Sequence, residues 1–434
     1  MAKDAVGHAL TLLNRLASSD VLDRLGLRKF AERLAYNLTR TGFQVLTTSA
    51  RTFKRSGSGD RQRLNAPGLT TDLFDLNITD EQQMIRDSVK AFAEDALRPA
   101  AEAADHAQAT DPATLAAAQE LGLNFFAVPE AFGGAASERS PVTTMLVAED
   151  LAWGDMGQAI AILAPMGVAN ALTQWGNADQ QSRYLPAFAS EQPPLATLAI
   201  TEPRPLFDPM QLETTAVRDG NEWVLNGVKS LVPLAAEAEL FLVAAATDDG
   251  PAVFIIEGGT AGLTAGEDPA MGIRASGQRP LQLNDVRVSD AQRLGDDDFD
   301  YRALVDLGTL AWCALAIGTA QAVLDYVIPY VNEREAFGEP ISHRQAVAFT
   351  VANMAIELDA MRMLTWRAVC RAEQGKPFQR EAHLARTLVK DKAMQIGTDG
   401  VQLLGGHGFT KEYPVERWYR DLRAVGVAFG GLHL

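Results

Sequence analysis

The apolar pattern of this chain changes period twice, and any fold has to accommodate both changes. Up to about residue 195 apolar side chains recur at helical spacing. From Ala196 they fall into short runs rich in β-branched and aromatic residues, divided by turns. From Tyr301 onward the spacing is that of long helices. A helical period does not sit in a strand, nor a strand period in a helix. The pattern therefore predicts an α+β chain: a helical domain over 68–195, a β domain over 196–300 and a helical bundle over 301–434. A length of 434 residues agrees with two or three domains.

Local signals fill in this outline. Thr79-Asp80-Glu81-Gln82 fits a capping box, and Met84, Ile85, Val89, Phe92 and Leu97 follow near helical period. Pro99 is expected to end that helix. Leu121 to Gly134 reads as an apolar turn, and Asp150 to Leu172 and Gln180 to Phe188 as helices. In the middle region Asp219-Gly220-Asn221 and Asn226-Gly227 are both hairpin signals. Leu310 to Leu324 is the most apolar run; it is too short to span a bilayer and reads as a buried core helix.

Charge divides the chain unequally. Residues 1–63 hold twelve Lys and Arg against five Asp and Glu, a net +7, which leaves −23 on the rest of a chain of −16. The acidic body argues against general nucleic-acid binding. Leu10, Leu13, Leu16, Val21, Leu22 and Leu25 give the arm amphipathic turns, without the continuous apolar core of a cleavable signal. Two functional readings stand: contact with an anionic membrane surface through residues 1–63, or docking on a partner subunit. Packing on the acidic body of the same protein stands beside them. Ser56 to Pro67 reads as a flexible linker, so residues 1–67 form a basic arm and linker. Cys313 and Cys370 lie in apolar helical patterns, and the simplest compartment is a reducing cytoplasm. Six scattered histidines show no metal-ligand spacing.

The densest cluster of chemistry-bearing residues runs from Gln402 to Gly431. It holds Gly405, Gly406 and Gly408, then Glu412, Glu416, Arg417, Arg420 and Asp421. Asn332 to Gln345 (NEREAFGEPISHRQ), Leu198 to Pro203 (LAITEP) and Met271 to Ser276 (MGIRAS) are further compact motifs. Together, in this order, they resemble the acyl-CoA dehydrogenase family over roughly Leu73 to Gly431. The resemblance implies that family's fold, a C-terminal four-helix bundle that dimerises or tetramerises, and FAD as cofactor. It implies that Thr201 faces the flavin ring. It makes Arg334, Phe337, Gln345, Gln402, Gly405 and Gly406 contacts to a neighbouring subunit's flavin. Arg274 is read instead as a structural anchor.

The departures from the family are concentrated at the reacting centre. The tryptophan that packs on the flavin is Leu231, and the threonine near flavin N5 is Pro233, which offers neither hydroxyl nor amide donor. Phe207 replaces a serine. Phe429 stands where the family usually carries its catalytic glutamate, and the alternative position, one helix earlier, holds Gly308 with Thr309 beside it. Asp306 is a further candidate for the base, about half a turn from Gly308 and expected to point elsewhere. The family continues into a further helix, for which the sequence, ending at Leu434, holds no residues.

Three functions follow as expectations. One is α,β-dehydrogenation of an acyl-CoA or similar thioester in fatty acid metabolism, as a homodimer or homotetramer, with the usual base missing. Another is a catalytically silent subunit of a heteromer with an active paralogue. The last is a flavin-dependent monooxygenase or oxidase on the same fold.

Overall fold

The structure is a computed structural model and describes residues 74–434 apart from 75, 137–138 and 268–269. The basic arm and linker, residues 1–67, lie outside the described residues.

Six helices form the first layer: α1 (Asp80–Phe92), α2 (Arg98–Ala107), α3 (Pro112–Glu120), α4 (Pro141–Gly154), α5 (Met156–Trp175) and α6 (Ala178–Phe188). The capping box forms as expected: Thr79 Oγ1 accepts from the Gln82 amide at 3.1 Å, and Gln82 Oε1 accepts from the Thr79 amide at 2.9 Å. Pro99 does not end this helix. The chain widens into a π-helical turn, Ala93–Leu97, and restarts as α2 with Pro99 in its first turn. Asp155 breaks α4 from α5 with φ −161° and caps the Gln158 amide at 2.9 Å.

The middle region is a sheet of seven strands: β1 (Ala196–Ala199), β2 (Thr215–Asp219), β3 (Glu222–Val232), β4 (Leu240–Thr247), β5 (Gly250–Glu257), β6 (Leu263–Ala265) and β7 (Arg279–Ser289). It is ordered β1-β4-β2-β3-β7-β6, with β5 pairing the other side of β4. Gly220 and Asn221 make the two-residue turn between β2 and β3. Asn226-Gly227 makes no turn. It lies inside β3 at a register shift against β7, and the Asn226 amide donates to Asp285 at 3.0 Å. A bulge and a hairpin both need an open glycine, so the local signal was ambiguous.

The last layer is α7 (Tyr301–Glu333), a small hairpin of β8 (Glu335–Ala336) and β9 (Glu339–Pro340), then α8 (Gln345–Glu373), α9 (Gln379–Leu403) and α10 (Val415–Ala424). α7 runs through the interior of this layer. It is long and apolar enough to cross a membrane, as α5 also is, but 94% of its apolar window is buried inside the protein. Gly318 lets α7 cross α4 closely, since a Cβ there would lie 2.0 Å from the Glu149 carbonyl oxygen.

Candidate functional site

A cavity of about 780 Å³ opens between the sheet and the last helices, a volume suited to a sizeable organic ligand. Its walls bring together Thr201, Phe207 and Leu231 from the sheet side, Asp306 and Thr309 from α7, Arg386 from α9, and Phe429. Leu231 has a left-handed φ of +52°, which turns this half-buried side chain into the cavity wall. Gly308 does not line it. A Cβ there would meet the Leu432 carbonyl oxygen at 2.8 Å, so this position faces the buried tail. The expectation for Asp306 is corrected as well: it does point into the cavity, on the same face of α7 as Arg302, Val305 and Thr309. Burial pushes its carboxyl up to about 6, against an ion pair with Arg302 at 3.2 Å.

The segment after α10 is threaded beside β1 and closes one end of the cavity. Gly430 bridges Ala199, and the Gly431 amide donates to the Leu198 carbonyl at 2.8 Å. The Thr201 hydroxyl donates to the Phe429 carbonyl at 2.6 Å and accepts from the Phe429 amide at 2.8 Å. Trp312 Nε1 donates to the Gly430 carbonyl at 2.8 Å. The backbone of residue 429 is thereby fixed and its ring is held over the cavity. The Arg386 guanidinium lies 3.9 Å from that ring's centre, and the Phe207 ring meets it edge-on with 5.8 Å between centres. Pro233 packs toward Gly431 and does not line the cavity. Leu432, His433 and Leu434 are buried behind it.

In the cavity wall a buried ion pair ties the segment after β1 to β3. Lys229 Nζ lies 2.8 Å from Glu202 Oε1, and Glu202 also accepts the amides of Glu213 and Thr214. Burial pushes Lys229 down to about 8, against the pull of Glu202. This carboxylate is committed to structure.

The remaining predicted contacts gather elsewhere. Arg334, Phe337 and Gln345 sit around the β8–β9 hairpin, with Phe337 at its tip, 96% exposed and at φ +57°. Gln402, Gly405 and Gly406 end α9 nearby, tied in through Tyr330, whose hydroxyl reaches the Leu404 carbonyl at 3.4 Å and His407 at 2.9 Å. Nothing packs within 4 Å of where a Cβ would stand on Gly405 or Gly406. Asp306 and Arg334 are 28 residues apart on one helical course, about 40 Å at 1.5 Å per residue. That is longer than an extended dinucleotide, so one chain does not offer both groups to one cofactor.

The charge run in α10 proves structural. Arg420 binds both oxygens of Asp105 at 2.9 and 3.0 Å and those of Glu416 at 2.7 and 3.0 Å. Asp421 accepts the Ile273 amide at 2.6 Å. Arg274 stands 4.0 Å from Asp105, in keeping with an anchoring role. Besides Arg204, the basic side chains of the cavity, Arg302, His383, Arg386 and Lys390, were not singled out from sequence. The spacing of His383, Arg386, Thr387 and Lys390 on one helical face was the available signal.

Family models for the N-terminal, middle and C-terminal domains of acyl-CoA dehydrogenase match residues 79–192, 197–286 and 303–431. The chain belongs to the acyl-CoA dehydrogenase family. A probable acyl-CoA dehydrogenase of Bacillus subtilis is 33% identical, over 82% of this chain and 96% of the relative. A short-chain specific acyl-CoA dehydrogenase of Megasphaera elsdenii is 32% identical with the same coverage. The solved butyryl-CoA dehydrogenase of that organism superposes with a TM-score of 0.75 at 31% identity, covering 82% of this chain and 95% of its own. A glutaryl-coenzyme A dehydrogenase superposes with a TM-score of 0.74 at 28% identity, over 81% of this chain and 92% of its own.

The cavity suits the family's cofactor in size and in its apolar walls, Phe207, Leu231 and Phe429. Its Thr201 hydroxyl is already engaged by Phe429.

Proposed function

We propose that this acyl-CoA dehydrogenase family member works as one subunit of an FAD-dependent acyl thioester dehydrogenase whose proton-accepting carboxylate comes from a paralogous subunit. The family makes the chain a flavoprotein of oxidoreductase type with FAD as its cofactor, and two solved relatives are described as complexes with FADH2 and with FAD. When bound, FAD supplies the two-electron acceptor. Abstraction of the α-proton needs a carboxylate at the reacting carbon, and a phenyl ring accepts no proton.

The observation that carries this reading is an asymmetry. At the reacting end Phe429 is locked by its backbone to Thr201, and its ring is covered by Arg386. At the far end Arg334, Phe337, Gln402, Gly405 and Gly406 are exposed and uncovered within the chain. In the complex these residues would serve a flavin bound by the neighbour, with Arg334 holding its pyrophosphate by charge-assisted hydrogen bonds. A second reading, dehydrogenation by this chain alone, is favoured by Asp306, a cavity carboxylate poised near neutrality.

The test is anaerobic titration of the purified full-length chain with a panel of acyl-CoAs, alone and co-assembled with a paralogue that carries glutamate at the position of Phe429. We expect bleaching of the flavin band near ~450 nm only in the co-assembled protein. Bleaching by this chain alone, abolished in Asp306→Asn, would replace the first reading by the second.

A further inference from the structure

One face of α9 brings two cations, Arg386 and Lys390, to the cavity, and none of the cavity's carboxylates pairs with them. His383, Arg386, Thr387 and Lys390 stand at i, i+3, i+4 and i+7, which places them on one side of the helix, and all line the cavity. Among the described residues no carboxylate lies within ion-pair distance of His383, Arg386 or Lys390. The Arg386 Nη2 donates to the Ala428 carbonyl at 3.0 Å, and its Nη1 is buried with no partner.

The carboxylates on the opposite walls are already engaged. Glu202 is held by Lys229 and two backbone amides. Asp208 accepts the Met210 amide at 3.0 Å and the Gln211 side chain at 3.1 Å. Asp306 pairs with Arg302, and His383 is near enough to favour its charged form. Arg204, the other cation of the wall, is paired with Glu213 at 3.2 Å. The half-buried Arg386 guanidinium is thus left with donor capacity that no carboxylate takes up.

We propose that His383, Arg386, Thr387 and Lys390 form an oxyanion subsite that takes a carboxylate or phosphate group of the thioester bound in this cavity. This rests on the reading that the cavity accepts an acyl thioester. Two sources supply the same chemistry: an ω-carboxylate on the acyl group, or a phosphate on its carrier. A guanidinium and an ammonium flanking a hydroxyl suit either.

The test is isothermal titration calorimetry of the full-length protein, wild type, Lys390→Ala and His383→Gln, with butyryl-CoA, glutaryl-CoA and butyryl-N-acetylcysteamine. Lys390 and His383 are exposed, so these variants are expected to keep the wild-type melting temperature. If the carboxylate is the ligand, glutaryl-CoA binds more tightly than butyryl-CoA, and Lys390→Ala cuts that preference by about 10-fold or more. If the phosphate is the ligand, both CoA thioesters weaken alike, and butyryl-N-acetylcysteamine is unaffected. Equal binding of all three compounds by wild type and variants overturns the subsite and leaves the thioester reading standing. If no thioester binds wild type, that reading fails, and glutarate and inorganic phosphate alone become the probes. Absence of binding by either then overturns the subsite too.

Discussion

A phenyl ring at position 429 alters what the groups around it can do. The guanidinium of Arg386 has no carboxylate to pair with, so it rests against the ring face, 3.9 Å from the centre. Phe429→Glu would place a carboxylate beside that guanidinium, and the neighbouring charge would hold its pKa below the usual range. The new base would be ionised throughout the neutral range. Stopped-flow reduction of the flavin by an acyl-CoA is expected to rise by roughly 10²–10⁴-fold over the parent chain. An unchanged rate would mean that the lost base is not what limits this chain. The identity of residue 429 was legible in the sequence because its motif is long. The facing of α7 was not. Counting placed Gly308 at the reacting centre, whereas Arg302, Val305, Asp306 and Thr309 share the face that lines the cavity. A helical wheel gives relative angles, and only the partner elements decide which angle looks inward.

At the scale of elements, the segment from Ala428 to Leu434 lies beside β1 through one bridge, Ala199 to Gly430, and is buried under the helical layer. His433 is its least expected member. It is 2% exposed, both ring nitrogens lack partners, and the ring meets Trp175 edge-on at 5.0 Å. Burial, then Arg139, pushes its pKa well below the usual value. The folded chain therefore keeps this imidazole neutral, while the unfolded chain takes a proton below about pH 6.5. The unfolded state binds more protons in that window, so His433 makes stability fall as pH drops, by at most ~1.4 kcal/mol per pH unit. Asp421, raised to about 7 by burial and Asp155, acts with the opposite sign over the same range. The comparison is thus between wild type and His433→Phe in urea unfolding from pH 7.5 to 5. The variant is expected to lose the His433 contribution to the slope, and parallel curves would show that residue 433 does not titrate on unfolding. The burial of Leu432, His433 and Leu434 was not foreseen, because AFGGLHL carries neither helical nor alternating period. By contrast the capping box of α1 and the Gly220-Asn221 turn were read correctly from four residues or fewer. The misread signals, Pro99 and Asn226-Gly227, are ones for which two backbone solutions exist and long-range pairing chooses between them.

For the whole molecule, the order of helical, β and helical layers followed from period alone, and the family from its motifs. What sequence left open is which motifs meet in space. α7 separates the cavity from the Arg334 cluster by about 40 Å. On the reading proposed above, a flavin bound at either end draws its other contacts from a second chain. This gives a prediction in trans. Arg334→Ala removes an exposed charge at the end of α7 and disturbs no packing described for this chain. In the co-assembled protein it is expected to weaken flavin retention by roughly 10–100-fold, the worth of a charge-assisted bond to a phosphate. Thioester binding to this chain's own cavity, at the opposite end of α7, should not change. The ratio of flavin to protein absorbance after gel filtration, read beside calorimetry on the same sample, separates the two effects. Loss of thioester binding together with flavin would mean that both ends serve one site, and unaltered flavin content would remove Arg334 from the neighbour's site. Only the combination of lost flavin and retained thioester is what two half-sites, joined by a rigid 33-residue helix, can give.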